Sequence, residues 1–164
     1  MRNHNQHRSN LMLSIEPLDY TDEYSIHTII TEPSLFKMTY GQGCLVEEFK
    51  VEKDNSYLGI IDSKELIGLF QLKPFNKITY DAHIYILPRY QDGNKSVQAV
   101  KAGKEYLRES TDINTIMTSV PIDCNYVHKF LSKTDFKVCG KLVNSIIYNN
   151  RIQDLILYSL AIRG

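Results

Sequence analysis

What this sequence lacks narrows it first. Across its 164 residues, no apolar run approaches the roughly 18 residues that cross a bilayer as a helix. No membrane span is expected. Lysine and arginine together number 19, aspartate and glutamate also 19, and the formal net charge is +0. A chain so balanced has no general electrostatic footprint for nucleic acid or for an anionic membrane. Cysteine is scarce and scattered: Cys44, Cys124 and Cys139 are odd in number and fit neither a disulfide framework nor a zinc-ligand spacing. All three are expected as reduced thiols, with no metal site. A nucleophilic cysteine needs an oriented base, and no local signature ties His83 or His128 to one. Met1 to Asn10 is polar and lacks the apolar segment of a secretory signal. It is expected as a flexible leader, residues 1–10, ahead of a single domain, residues 11–164, in a cytoplasmic protein.

What is present is an alternation of strand and helix signals. Leu11, Leu13 and Ile15 alternate with polar residues to Leu18, the period-two mark of a first strand. Thr21 or Asp22 is placed to cap a helix toward Ile30, with Tyr24, His27 and Ile30 at helical spacing and Pro33 as its stop. Ser34 to Glu48 reads as a short helix, a loop containing Gly41 and Gly43, and another short helix. Tyr57–Ile61 and Leu66–Leu72 are apolar runs on either side of a polar turn and should form an antiparallel hairpin. The strand Ile78–Leu87 carries Asp81, His83, Tyr85 and Leu87 on one face and Tyr80, Ala82, Ile84 and Ile86 on the other. The first face is expected to be polar until the strand's end, the second to be core. Pro88 breaks this strand, and a helix follows over about Lys95–Glu109. A strand over Ile113–Val120 ends at Pro121, and a helix over Asn125–Thr134 carries Val127, Phe130 and Leu131 as its apolar stripe. Two strands, Leu142–Tyr148 and Asp154–Ile162, close the chain. The order β-α-α-β-β-β-α-β-α-β-β predicts an α/β fold: one mixed central sheet of about seven strands with helices on both faces.

Three groups of residues carry a resemblance to a known family. The run Ile84-Tyr85-Ile86-Leu87-Pro88-Arg89-Tyr90-Gln91-Asp92-Gly93-Asn94-Lys95-Ser96 resembles the strand, proline and Arg/Gln-x-x-Gly-x-Gly/Ala loop of the GNAT superfamily of acyl-CoA N-acyltransferases. Gln91 and Ser96 match, and Asn94 stands where a glycine is usual. Val120-Pro121, then Asn125, His128, Phe130, Leu131 and Asp135-Phe136, resembles the same superfamily's strand, splayed loop and fourth helix. Here Asp135 replaces a glycine, and Leu131 stands where a tyrosine is frequent. The runs Ile67-Gly68-Leu69-Phe70, Asp81 to Pro88, Thr118-Ser119-Val120-Pro121 and Gln153 to Leu157 are similar to a small phage and prophage GNAT family that includes head assembly proteins.

The resemblance implies acetyl-CoA as cosubstrate and a primary amine, of a small molecule or a protein, as acceptor. Successive N–H groups at a helix start, with the helix dipole, suit a pyrophosphate, so Gln91, Asp92, Gly93, Asn94, Lys95 and Ser96 are expected to bind the coenzyme; the bland alternative is a plain strand-to-helix turn. Ile84, Tyr85 and Ile86 are expected along its arm, with an Ile86 N–H facing the reacting carbonyl. Asn125 either touches that arm or caps its helix. His83 is the candidate base, oriented by Asp81, because an imidazole ordinarily titrates near neutrality; it could equally be a hydrogen-bonded core histidine. Tyr126 or Ser132 is the candidate acid for the leaving thiol. The acceptor pocket is expected from residues 32–55 and the last hairpin. Two other functions remain open at this point: a phage head assembly factor that contacts virion proteins in the host cytoplasm without catalysis, and an acyl-CoA sensor. A homodimer is compatible with each.

Overall fold

The computed structural model describes residues 13–164; the expected leader lies outside the described residues. Strand β1 (Leu13–Leu18) shows the alternation that predicted it, Leu13 and Ile15 being more covered than Ser14 and Glu16. A one-turn 3-10 helix, Tyr20–Asp22, precedes α1 (Glu23–Ile30). The cap differs from expectation. Asp19 accepts the Thr21 N–H at 2.9 Å and Asp22 accepts the Asp19 N–H at 3.0 Å, a reciprocal box that starts the 3-10 turn. The stripe differs too: Ile26, Ile29 and Ile30 are buried, whereas Tyr24 is 83% exposed. Pro33 does not stop α1 but occupies the first turn of α2 (Pro33–Tyr40), where its missing N–H has no consequence.

A 3-10 turn at Val46–Glu48 leads to β2 (Ser56–Asp62) and β3 (Glu65–Pro74). Ser63 and Lys64 join them with φ of 49° and 73°, the backbone of a two-residue primed turn. Asn149 and Asn150, with φ of 52° and 61°, join β6 (Lys137–Tyr148) and β7 (Arg151–Ala161) in the same way. Between the hairpins run β4 (Thr79–Ile86), α3 (Gly93–Ser110), β5 (Thr115–Pro121) and α4 (Asn125–Leu131). The seven strands form one sheet in the order β1-β2-β3-β4-β5-β7-β6. Every neighbouring pair is antiparallel except β4 and β5.

Helices cover both faces, each over its own core. On one face α3 and α4 bring Val97, Val100, Phe130 and Leu131 onto Ile60, Phe70, Ala82 and Leu160. On the other, α1 and α2 bring Ile26, Ile30, Leu35 and Phe36 onto Leu69 and Tyr85. The face of β4 expected to be polar is therefore polar only at Asp81 and His83; Tyr85, on the same face, is fully buried. Gly68 fixes how close β3 lies to β4, since a Cβ there would meet the Tyr85 carbonyl oxygen at 2.1 Å. No described helix is long and apolar enough to cross a membrane.

Candidate active site

The site grows from the one parallel pairing in the sheet. Strands β4 and β5 are paired through Thr79–Thr115, Tyr80–Ile116 and Asp81–Met117 and then part. The Leu87 N–H donates to the Ile67 carbonyl at 2.9 Å, so Leu87 faces β3. Because amide direction alternates along a strand, Ile84 and Ile86 turn their N–H and C=O groups the other way, into the gap. The Ile86 carbonyl accepts the Gln91 side-chain amide at 3.0 Å, which leaves the Ile86 N–H directed at the opening. A cavity of about 330 Å³ fills it, lined by Ile84 and Ile86, by Leu35 and Met38 of α2, by Asn125, Tyr126 and Phe130 of α4, and by Tyr148. Its wall mixes apolar side chains with polar ones, Ser34, Gln91 and Asp123 among them, the combination that holds and orients a flexible organic arm.

The loop after Pro88 is tighter than an open anion cradle. Pro88–Tyr90 forms a 3-10 turn. The N–H groups of Tyr90, Gln91 and Asp92 donate to the carbonyls of Leu87, Pro88 and Tyr90 at 2.8, 3.1 and 2.8 Å. Asp92 caps α3, its carboxylate accepting the Asn94 N–H at 2.8 Å. Among the described residues, the Gly93 and Lys95 amides are the two at this helix start without an internal acceptor. The expected set of coenzyme amides thus contracts, because Gln91, Asp92 and Asn94 satisfy theirs within the loop. Lys95 lies 2.9 Å from the Asp62 carboxylate, whose hydrogen bond raises its pKa. Arg89 rests over the Tyr90 ring at 4.8 Å. Ser96 is buried and its hydroxyl is hydrogen-bonded to the Tyr126 hydroxyl.

His83 and Asp81 are together, Nε2 to Oδ2 3.2 Å apart, on the α1–α2 face of β4. His83 is not part of the cavity wall, but the next residue, Ile84, is. Tyr85 departs from its expected place along the coenzyme arm. Its amide faces β3, and its hydroxyl donates to Gln71 Oε1 at 3.0 Å inside the second core, where burial raises its pKa well above the usual phenol range. Asn125 lines the cavity as the first residue of α4; Cys124 precedes it at the cap position, with no side-chain cap bond. Tyr126 also lines the cavity, its pKa raised chiefly by burial. Ser132 is not brought to the site: it is exposed and donates to the Lys129 carbonyl at 2.6 Å.

The sequence reading missed a second bank of polar groups. Tyr148, the last residue of β6, lines the cavity, and burial, with the nearby Cys124 thiol as a lesser cause, pushes its pKa up to about 12. Cys124 is buried there and its own pKa is raised by burial. Arg151 and Gln153 both bond the Asp123 carboxylate, at 3.0 Å from the Arg151 Nε and 3.2 Å from the Gln153 amide. His128 is structural: its Nε2 donates to the Pro121 carbonyl at 2.9 Å, so its Nδ1 accepts from the Tyr158 hydroxyl. The one sequence signal for this bank was a tyrosine set directly before the Asn-Asn turn.

This mixed seven-strand sheet, with four helices and one splayed parallel pair, is the GNAT acyltransferase fold. Among solved structures it is similar to spermidine N-acetyltransferase from Vibrio cholerae in complex with CoA and spermine: TM-score 0.76, 18% identity, 92% of this chain and 95% of that one covered. It is also similar to that organism's spermidine/spermine N-acetyltransferase in complex with manganese ions: TM-score 0.73, 20% identity, 94% and 95% covered. A chimera of the Vibrio cholerae enzyme with hSSAT matches at TM-score 0.75 and 19% identity, covering 92% and 96%. None of the three is a head assembly protein. No family model matches the sequence, nor does any curated protein.

Proposed function

We propose that this protein is an acetyl-CoA-dependent N-acetyltransferase that passes the acetyl group directly to a primary amine. The observation that carries this reading is the parting of β4 from β5 beyond Asp81, with the Ile86 N–H aimed into the cavity so formed. The fold it shares with enzymes solved with CoA and with spermine adds support. Acetyl-CoA supplies an activated thioester; the chain supplies position and charge. The Ile86 N–H polarises the acetyl carbonyl, a preorganised donor where negative charge develops. Ile84 and Asn125 line the coenzyme arm, and the Gly93 and Lys95 amides meet its phosphates beside Ser96 and Tyr126. His83, held by Asp81, takes the proton of an amine entering from the α1–α2 side.

Asn94, Asp135 and Leu131 depart from the catalytic pattern of the superfamily, and they favour a second reading, a head assembly factor without turnover. Calorimetric titration with acetyl-CoA, followed by thiol release over a panel of amines, separates the two. Binding with turnover, and a His83→Ala variant that binds acetyl-CoA normally but turns over about a hundredfold more slowly, are the outcomes expected of the enzyme. Binding without turnover of any amine makes the chain a sensor, and the absence of binding leaves the assembly role.

A further inference from the structure

We propose that the phenol of Tyr148 is the group that donates a hydrogen bond to the departing sulfur, a task performed here from the end of β6 and not from α4. The inference rests on the acetyltransferase reading. On α4 the position that resembles the superfamily's tyrosine is Leu131, fully buried in the main core. Ser132, next to it, gives its hydroxyl to the Lys129 carbonyl. Two phenols then remain in the cavity wall, Tyr126 and Tyr148.

Their surroundings assign them different work. Tyr126 is hydrogen-bonded to Ser96, in the first turn of α3, and so belongs to the end of the cavity that meets the phosphates. Tyr148, at the end of β6, lines the same cavity as Cys124, and the thiol is among the groups that influence its phenol. A thiol is a weak hydrogen-bond partner, so this phenol is free to turn to a stronger acceptor. Its backbone is pinned at several points. The buried Gln153 donates to the Tyr148 carbonyl at 2.7 Å and to Asp123, which Arg151 also grips. The Gln42 N–H donates to the Ile147 carbonyl at 2.8 Å, and the Gln42 side chain bonds Asn150 at 2.9 Å. With its acidity pushed so low by burial, the hydroxyl keeps its proton throughout the range in which amines react. In the step itself the N–C bond forms, the C–S bond breaks and the amine proton passes to His83. The sulfur leaves as a thiolate whose charge the Tyr148 O–H stabilises, and it is protonated by water at the cavity mouth.

The test is Tyr148→Phe, which keeps the ring and removes one oxygen. With acetyl-CoA, kcat should fall about a hundredfold while the calorimetric Kd for acetyl-CoA stays within about twofold of the parent. With the acetyl thioester of 4-nitrothiophenol, whose thiolate carries its charge unaided, variant and parent should acetylate the same amine at rates within about threefold. Tyr126→Phe should instead weaken acetyl-CoA binding and show no such dependence on the leaving group. A Tyr148→Phe enzyme as fast as the parent, equally slowed with both donors, or unable to bind acetyl-CoA, overturns the assignment and leaves the acetyltransferase reading standing. A parent protein inert toward both donors removes that reading, and this one with it.

Discussion

Asp92 sits at the start of α3 with its carboxylate on the Asn94 N–H, where the proposed coenzyme brings its own negative charge. A carboxylate there is good for the helix and bad for a pyrophosphate. Asp92→Asn keeps the capping oxygen and discards the charge, so acetyl-CoA should bind about fivefold more tightly at low ionic strength, with the gain fading in high salt. Titration at two salt concentrations checks this; unchanged affinity at both would mean the phosphates lie elsewhere. Single residues were unevenly legible in the sequence. Asp81 and His83 lie two apart on a strand and so had to share a face, and they do. Tyr85 obeys the same parity, yet it is buried under α1 and α2, because period two says which residues share a face and nothing about what covers it. Tyr148 was illegible for a related reason. It reaches the cavity through a hairpin folded back from the far edge of the sheet, a contact of long sequence separation with no local pattern.

At the scale of elements, the splayed end of β4 depends on how β3 holds its other side. Gly68 lies opposite Ile86, and any side chain there would strike the Tyr85 backbone. Gly68→Ala should therefore cost about 3 kcal/mol, a fall in Tm on the order of 10 °C, and should weaken acetyl-CoA binding as the Ile86 amide moves. Thermal melts and titration of the purified variant measure both; a Tm within a degree or two of the parent would show that the strands have room to spare. The elements themselves were largely readable. Seven strands and four helices stand in the predicted order, since alternation, helical spacing and the turn residues Ser-Lys and Asn-Asn are local signals. Boundaries shifted where a local rule had two uses. Proline both ends and begins helices, so Pro33, which by local pattern reads as a stop, opens α2 instead. In α1, Tyr24 and His27 shared a spacing with Ile30, but the three isoleucines had more apolar surface to bury and set the helix's rotation.

For the whole molecule, one ion pair ties the loop after β5 to the last hairpin. The hydrogen bond from Arg151 is the leading cause of a lowered Asp123 pKa, with burial opposing it. A carboxyl whose folded-state pKa is lowered contributes stability above its ordinary value, near 3.9, and loses that contribution as pH falls through the lowered one. The gap in Tm between the parent and Arg151→Gln should accordingly be steady from pH 7 to about pH 5 and close as the pH falls below the ordinary carboxylate value. Melting curves across that range decide it, and a gap that persists at the acid end would mean the arginine acts through something other than Asp123. The sequence by itself determined the order of the elements, the β2–β3 hairpin and the likeness of the Pro88 loop, because each depends on residues a few positions apart. Only the tertiary structure decided where β4 and β5 separate, that α1 and α2 build a second core over Tyr85, and that Tyr148 joins α4 in the wall of one cavity. Those facts follow from packing between segments distant in the chain, where the gain from burying apolar surface depends on every partner at once.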